Sequence, residues 1–316
     1  MAATSNQTSL QGQQPALREL LALGEQTRRN LPQQLRSRIG FTDPSLFDDE
    51  AVARTRGLLV DLAAQVSGGR SPGGDAIVHL KERDAVLRAF SDHHELLAFC
   101  HGLALEYRLT RRLADHANID PVLPPVLQEQ IASSSEATSR LASAVLTAQT
   151  RFMTNMERMQ LPLHQLPGDL LHNALAIGRK KLADPMVADA VEQAVRTSYD
   201  EGATRLALFG RLASTGNYPT NREWQLEDAG VSLFLTGLSS ACGLSHHEAA
   251  MMTTESQIVR LALTLRALGC YPRAVNRNLY LLHDEVALPL ITGIEQDAAS
   301  ALLLETAGQR NARDQD

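Results

Sequence analysis

Residues 166 to 185 read LPGDLLHNALAIGRKKLADP. Set out at about 100° per residue, Leu166, Leu170, Leu171, Ala174, Leu175, Ile177 and Leu182 fall within one half of a helix, while His172 and Arg179 fall together on the other. The apolar half needs cover from other elements, and the charged half faces water. Arg179, Lys180 and Lys181 close the segment, where positive charge offsets the helix dipole without any ligand.

The same pattern extends in both directions. From Ala76 onward, apolar-periodic segments of about 10 to 25 residues alternate with short breaks at IDPVLPP (119–125), LPLHQLP (161–167), ADP (183–185), STGNYPT (214–220), CGLS (242–245) and GCYP (269–272). Start signals recur: Asp184 precedes Pro185 and Asp120 precedes Pro121, an N-cap followed by proline at the first helical position. Thr220 with Glu223, Thr254 with Gln257 and Ser133 with Glu136 have capping-box spacing. Gly269 follows the run IVRLALTLRAL, where a left-handed C-terminal residue is wanted. Leu and Ala dominate, β-branched runs are nearly absent, and only 13 of 316 residues are Phe, Tyr or Trp. The expected fold is therefore all-α, an irregular array of about ten or more antiparallel helices.

With 44% apolar residues the chain can bury a sizeable core. Residues 1–14 are polar with little to bury, and 309–316 form a polar end; both are expected to be disordered tails. Residues 15–66 form an N-terminal helical segment that starts on Pro15. Residues 67–75, SGGRSPGGD, cannot continue a helix and are expected to be a flexible linker to a helical body over 76–308.

Thirty basic against 36 acidic side chains leave a formal charge of -6. That balance argues against a domain that holds a polyanion, so no nucleic acid is expected. Cys100, Cys242 and Cys270 are widely spaced among apolar neighbours, as reduced core cysteines of the cytoplasm are. No stretch approaches the apolar length of a membrane span, and the N-terminus lacks the marks of a secretory signal. A cytoplasmic protein without membrane insertion is expected.

The triplet His-His-Glu occurs twice, in SDHHELLAF (91–99) and GLSHHEAAMM (243–252). A zinc helix of the H-E-x-x-H type would place its second imidazole four residues after the first, where Ala98 and Met251 stand instead. Ser245 with Glu248 and Asp92 with Glu95 have the spacing of capping boxes, which gives both glutamates structural work. His93, His94, His246 and His247 are then expected in first turns, facing water. Met153, Met156 and Met159 recur at intervals of three and are expected to fill core alongside Val145, Ala148 and Phe152. No phosphate-binding glycine loop, nucleophile elbow or reactive-cysteine context is present, so neither a catalytic residue nor a cofactor or metal ligand is assigned.

The segments LPLHQLPGDLLHNAL and LSSACGL … IVRLALTLRALG … VNRNLYLL resemble uncharacterised helical domain-of-unknown-function proteins of alphaproteobacteria, some with HEAT-like helical pairs. The resemblance spans about residues 80–290 and implies a helical fold and a bacterial cytosol, with no catalytic residues to carry over. A helical body without a polar catalytic constellation is expected to be a non-enzymatic protein-interaction or regulatory scaffold, its partner another protein. Two other readings stay open. One is a signalling protein whose exposed His172 accepts a phosphoryl group offset by Arg179. The other is a helical metal-dependent hydrolase built from His93, His94, His246 and His247 with carboxylates.

Overall fold

The computed structural model describes residues 15–30, 33–35, 49–68, 76–215, 221–283 and 294–313. Among them there is no strand. The α-helices are α1 (15–30), α2 (Asp49–Val66), α3 (Ala76–Asp92), α4 (His94–Ala117), α5 (Pro125–Ile131), α6 (Glu136–Glu157) and α7 (Gly168–Lys181). They continue as α8 (Pro185–Ser198), α9 (Arg205–Ser214), α10 (Leu226–Cys242), α11 (His246–Met251), α12 (Ile258–Ala267), α13 (Pro272–Leu282) and α14 (Gln296–Arg313).

The fold is arranged around α4. Its first four turns and more are buried nearly all round, from Leu96 to Thr110, including Phe99, Cys100, His101, Leu103 and Glu106. Helices α2, α3, α6, α10 and α11 pack against it. The contact of α4 with α11 joins residues far apart in the chain, which strict nearest-neighbour stacking of repeats does not do. One contiguous apolar core runs from Leu17 in α1 to Leu302 in α14. Within it, Leu166, Leu170, Leu171, Ala174 and Leu175 are buried, so the apolar half read from the sequence of α7 is the half that packs.

The N-terminal segment belongs to this core. Leu58, Leu59, Leu62 and Ala63 of α2 are fully buried along α4. Asp61 and Gln65 hold the chain after α6: Asp61 Oδ2 accepts from the Leu161 N–H at 2.8 Å, Gln65 Nε2 donates to the Leu161 carbonyl at 2.8 Å, and Gln65 Oε1 accepts from the Leu163 N–H at 3.0 Å. Helix α1 docks through Glu25, which receives Arg28 of its own helix and Arg260 of α12, each within 2.8 Å. Ser67 and Gly68 close α2 with a turn, and the remainder of the expected linker, 69–75, lies outside the described residues, as does the tail 1–14. At the other end α14 continues to Arg313, past the expected boundary at 308. Gln309, Arg310, Ala312 and Arg313 are residue types of high helix propensity, which the polar composition of this end does not offset.

Several caps stand where the spacing put them. Asp184 Oδ1 accepts from the Met186 N–H at 2.9 Å with Pro185 at the first helical position. Ser245 and Glu248 form a reciprocal capping box. Gly269 takes a left-handed φ of 83° after α12. Others differ by a few residues, because short oxygen side chains close turns as readily as they start helices. Asp92 ends α3, and the cap of α4 is His93, whose Nδ1 accepts from the Leu96 N–H at 3.3 Å. Ser135 caps α6 where Ser133 was expected, and Asp120 closes a turn onto Val122 and Leu123 ahead of α5, which starts at Pro125. Thr254 gives its hydroxyl to the Met251 carbonyl and caps nothing; Thr220 lies outside the described residues.

Candidate functional site

Five helices meet on one buried carboxylate. Glu106 sits mid-way along α4 with its side chain wholly out of solvent. Arg205, the first residue of α9, reaches it with both guanidinium ends, Nη1 to Oε1 at 2.7 Å and Nη2 to Oε2 at 2.6 Å. His246 of α11 places Nε2 2.9 Å from Oε2, and the Ser232 hydroxyl of α10 donates to Oε1. Gln149 of α6 completes the set, its Oε1 accepting from Arg205 Nη1 at 3.1 Å while its Nε2 donates to the Pro121 carbonyl at 3.0 Å. The guanidinium lies 3.7 Å over the Phe152 ring and 5.7 Å from that of Phe209.

Local sequence explains how these groups arrive. Thr204 caps α9 and thereby starts the helix at Arg205. Gly230, with φ 67°, breaks α10 after its first turn; a side chain there would also strike Pro124. The kink sets the direction of the second part of α10, which carries Ser232. Burial alone would push the Glu106 carboxyl up, but Arg205 and His246 beside it outweigh that and hold it far below the usual carboxylate range.

Next to this cluster, His101 Nδ1 and His247 Nε2 lie 3.2 Å apart, their rings edge to face at 62°. Burial pushes His101 down to about 4; His247, buried and close to His101 and His246, falls to about 3. Both rings are therefore neutral at pH 7, one nitrogen donating to the other. Gly102 permits the approach, since a β-carbon on it would lie 2.8 Å from the His247 Cα.

These positions correct the reading of the repeated triplets. Ser245 and Glu248 cap as expected, but His246 and His247 turn inward between cap and box residue. They do so because α11 lies directly on α4, so its first turn faces a neighbouring helix and not water. His94 is exposed, near enough to His247 to act on it electrostatically, and His93 is engaged as a cap. Among the described residues no three His, Cys, Asp or Glu side chains are placed to hold a metal ion. His172 is exposed on α7 as expected, and Arg179 is engaged by Asp189 and Glu192 of α8, the latter at 3.0 Å. Met153 and Met156 fill core; Met159 lies beyond the helix end with φ 53°, over Gly57. Cys100 and Cys270 are buried free thiols, while Cys242 is part-exposed.

On the other side of Arg205 is a cavity of about 310 Å³ between α6, α9, α4 and the 161–165 connection. Phe99, Leu103, Phe152, Met156 and Leu208 form its buried floor together with Arg205. Thr147, Arg151, Gln160 and His164 stand exposed around its mouth. Neither the cluster nor the cavity was read from the sequence. The signals available were a lone Glu inside the apolar run FCHGLALEYRL and an Arg directly behind a cap threonine, each ordinary by itself. The chain matches no protein-family model, and no curated protein or solved structure is detectably similar to it.

Proposed function

We propose that the protein is a non-enzymatic regulatory protein that receives a small molecule in the cavity beside Arg205 and presents its helical surface to a protein partner. One observation carries the reading: Arg205 is at once a wall of the cavity and the residue that joins α4, α6, α9 and α10 around Glu106. A ligand touching Phe152 or Arg205 thus acts on several helices at once, the arrangement by which occupancy biases a packed body. The volume lies at the low end of small-molecule sites. The alternative of general acid–base work at Glu106 is less well supported, because both carboxylate oxygens are taken by fixed partners.

The test uses protein carrying carbon-13 in its methionine methyl groups. Met156 lies at the cavity floor and is 1% exposed, while Met186 lies outside the cavity lining and is 78% exposed. Titration with short apolar compounds is expected to shift Met156 and leave Met186 in place. The shift should vanish when Ala148→Leu or Leu206→Trp fills the cavity. A Met156 signal that responds to nothing in wild type, or responds unchanged in the filled variants, removes the reading.

A further inference from the structure

The cavity is asymmetric in charge as well as polarity. Its floor is apolar except for Arg205, whose charge is already balanced by Glu106 and whose guanidinium face is covered by Phe152. Its mouth carries Arg151 and His164, with neutral donors from Asn155 and Gln160. No Asp or Glu lines it anywhere, in a chain where acidic residues outnumber basic ones by 36 to 30. Arg151, like several exposed arginines elsewhere, has no carboxylate partner among the described residues; of the two guanidinium groups that line the cavity it is the one left without a counter-charge, Arg205 being paired with Glu106. A cation left unpaired at the rim of an apolar pocket is complementary to an anionic head on an apolar body.

From this arrangement we infer that the cavity binds an amphipathic carboxylate, its apolar body on Phe99, Leu103, Phe152 and Met156 and its carboxylate at the mouth, on Arg151. The inference rests on the reading of the cavity as a ligand site and adds the ligand's chemical class. At roughly 30 Å³ for a water-sized group, a space of about 310 Å³ takes about ten such groups. A straight-chain carboxylate of about that length fills it and leaves its head outside the floor.

The experiment compares three probes of equal chain length by titration calorimetry: decanoate, the neutral decanol and the cationic decyltrimethylammonium, all below their aggregation concentrations. Decanoate is expected to bind most tightly and the cation most weakly. Arg151→Ala should weaken decanoate by about three- to tenfold and leave decanol unchanged, and Arg151→Glu should remove the preference for decanoate. Arg151 is exposed, so these variants keep the core intact. Decanol and decanoate binding alike, both blocked by Leu206→Trp or Ala148→Leu, would overturn the carboxylate assignment while the cavity stands as a ligand site. Binding of no probe, or binding that the filled variants do not affect, overturns both.

Discussion

His101 and His247, 146 positions apart in sequence, face each other as two buried imidazoles with their nitrogens 3.2 Å apart. Their proximity follows from Gly102, over which the backbone of α11 passes at a distance no β-carbon tolerates. The pair has a consequence for acid stability. Both folded pKa values lie below the ordinary imidazole value, at about 4 and about 3, so the folded state resists protonation that the unfolded chain accepts. Their contribution is present above about pH 6.5 and is lost as pH falls from there toward 4. With up to two protons taken up on unfolding, the free energy of unfolding should fall by at most about 2.7 kcal/mol per pH unit in this window. Urea titrations between pH 7 and 4.5 measure it. The His101→Phe, His247→Leu double variant should flatten the slope; an unchanged slope would show that other groups carry it.

The Glu106 cluster should behave as one unit. Glu106→Ala leaves a buried guanidinium without its counter-charge, and Arg205→Ala leaves a buried carboxylate, so each should cost about 3–5 kcal/mol. The double variant should cost clearly less than both together, because neither charge is then stranded. Additive losses in a urea double-mutant cycle would contradict this coupling.

His246→Ala removes one partner of the buried carboxylate while Arg205 and Ser232 remain. It should destabilise by about 1–3 kcal/mol. Ser245→Ala, which removes only a cap, should cost about 0.5–2 kcal/mol. Glu248→Ala should exceed Ser245→Ala, since Glu248 also accepts from Arg28 of α1 at 2.8 Å. Thermal melts of the three variants give the order, and a silent His246→Ala would remove that histidine from the cluster.

Gly102→Ala should separate α4 from α11 by enough to break the imidazole pair, at a cost of about 1–3 kcal/mol for overpacking. Gly57→Ala meets Met159 instead, its sulfur at 2.6 Å and its β-carbon at 2.8 Å, and should leave the imidazole pair in place. Imidazole nitrogen shifts in the magnetic resonance spectrum report whether the pair survives. Equal effects of the two substitutions would mean that α11 has room to move.

His172→Ala should change stability by less than about 0.5 kcal/mol, as an exposed residue without a packed role does. Arg179→Ala should lose only what exposed ion pairs to Asp189 and Glu192 supply, about 0.2–1 kcal/mol. Stoichiometric phosphate on His172 after incubation with a phosphorylated donor protein would instead favour the phosphotransfer reading.

Periodicity by itself determined the all-helical fold and the buried face of α7, because a helix repeats every 3.6 residues whatever it packs against. Local residue type set the caps at Ser245 and Asp184, whose hydrogen bonds close within three residues. Which way His246 and His247 face, and what Glu106, Gln149, Arg205 and Ser232 form together, lay beyond it. A first-turn residue turns to water or to a neighbour according to what lies on that side, and α4 is supplied from about 140 residues away. The cavity is likewise a property of the space between α4, α6 and α9, created where their side chains fail to fill it. Sequence carries the faces of helices; only their packing brings a carboxylate, a guanidinium and three imidazoles out of water together.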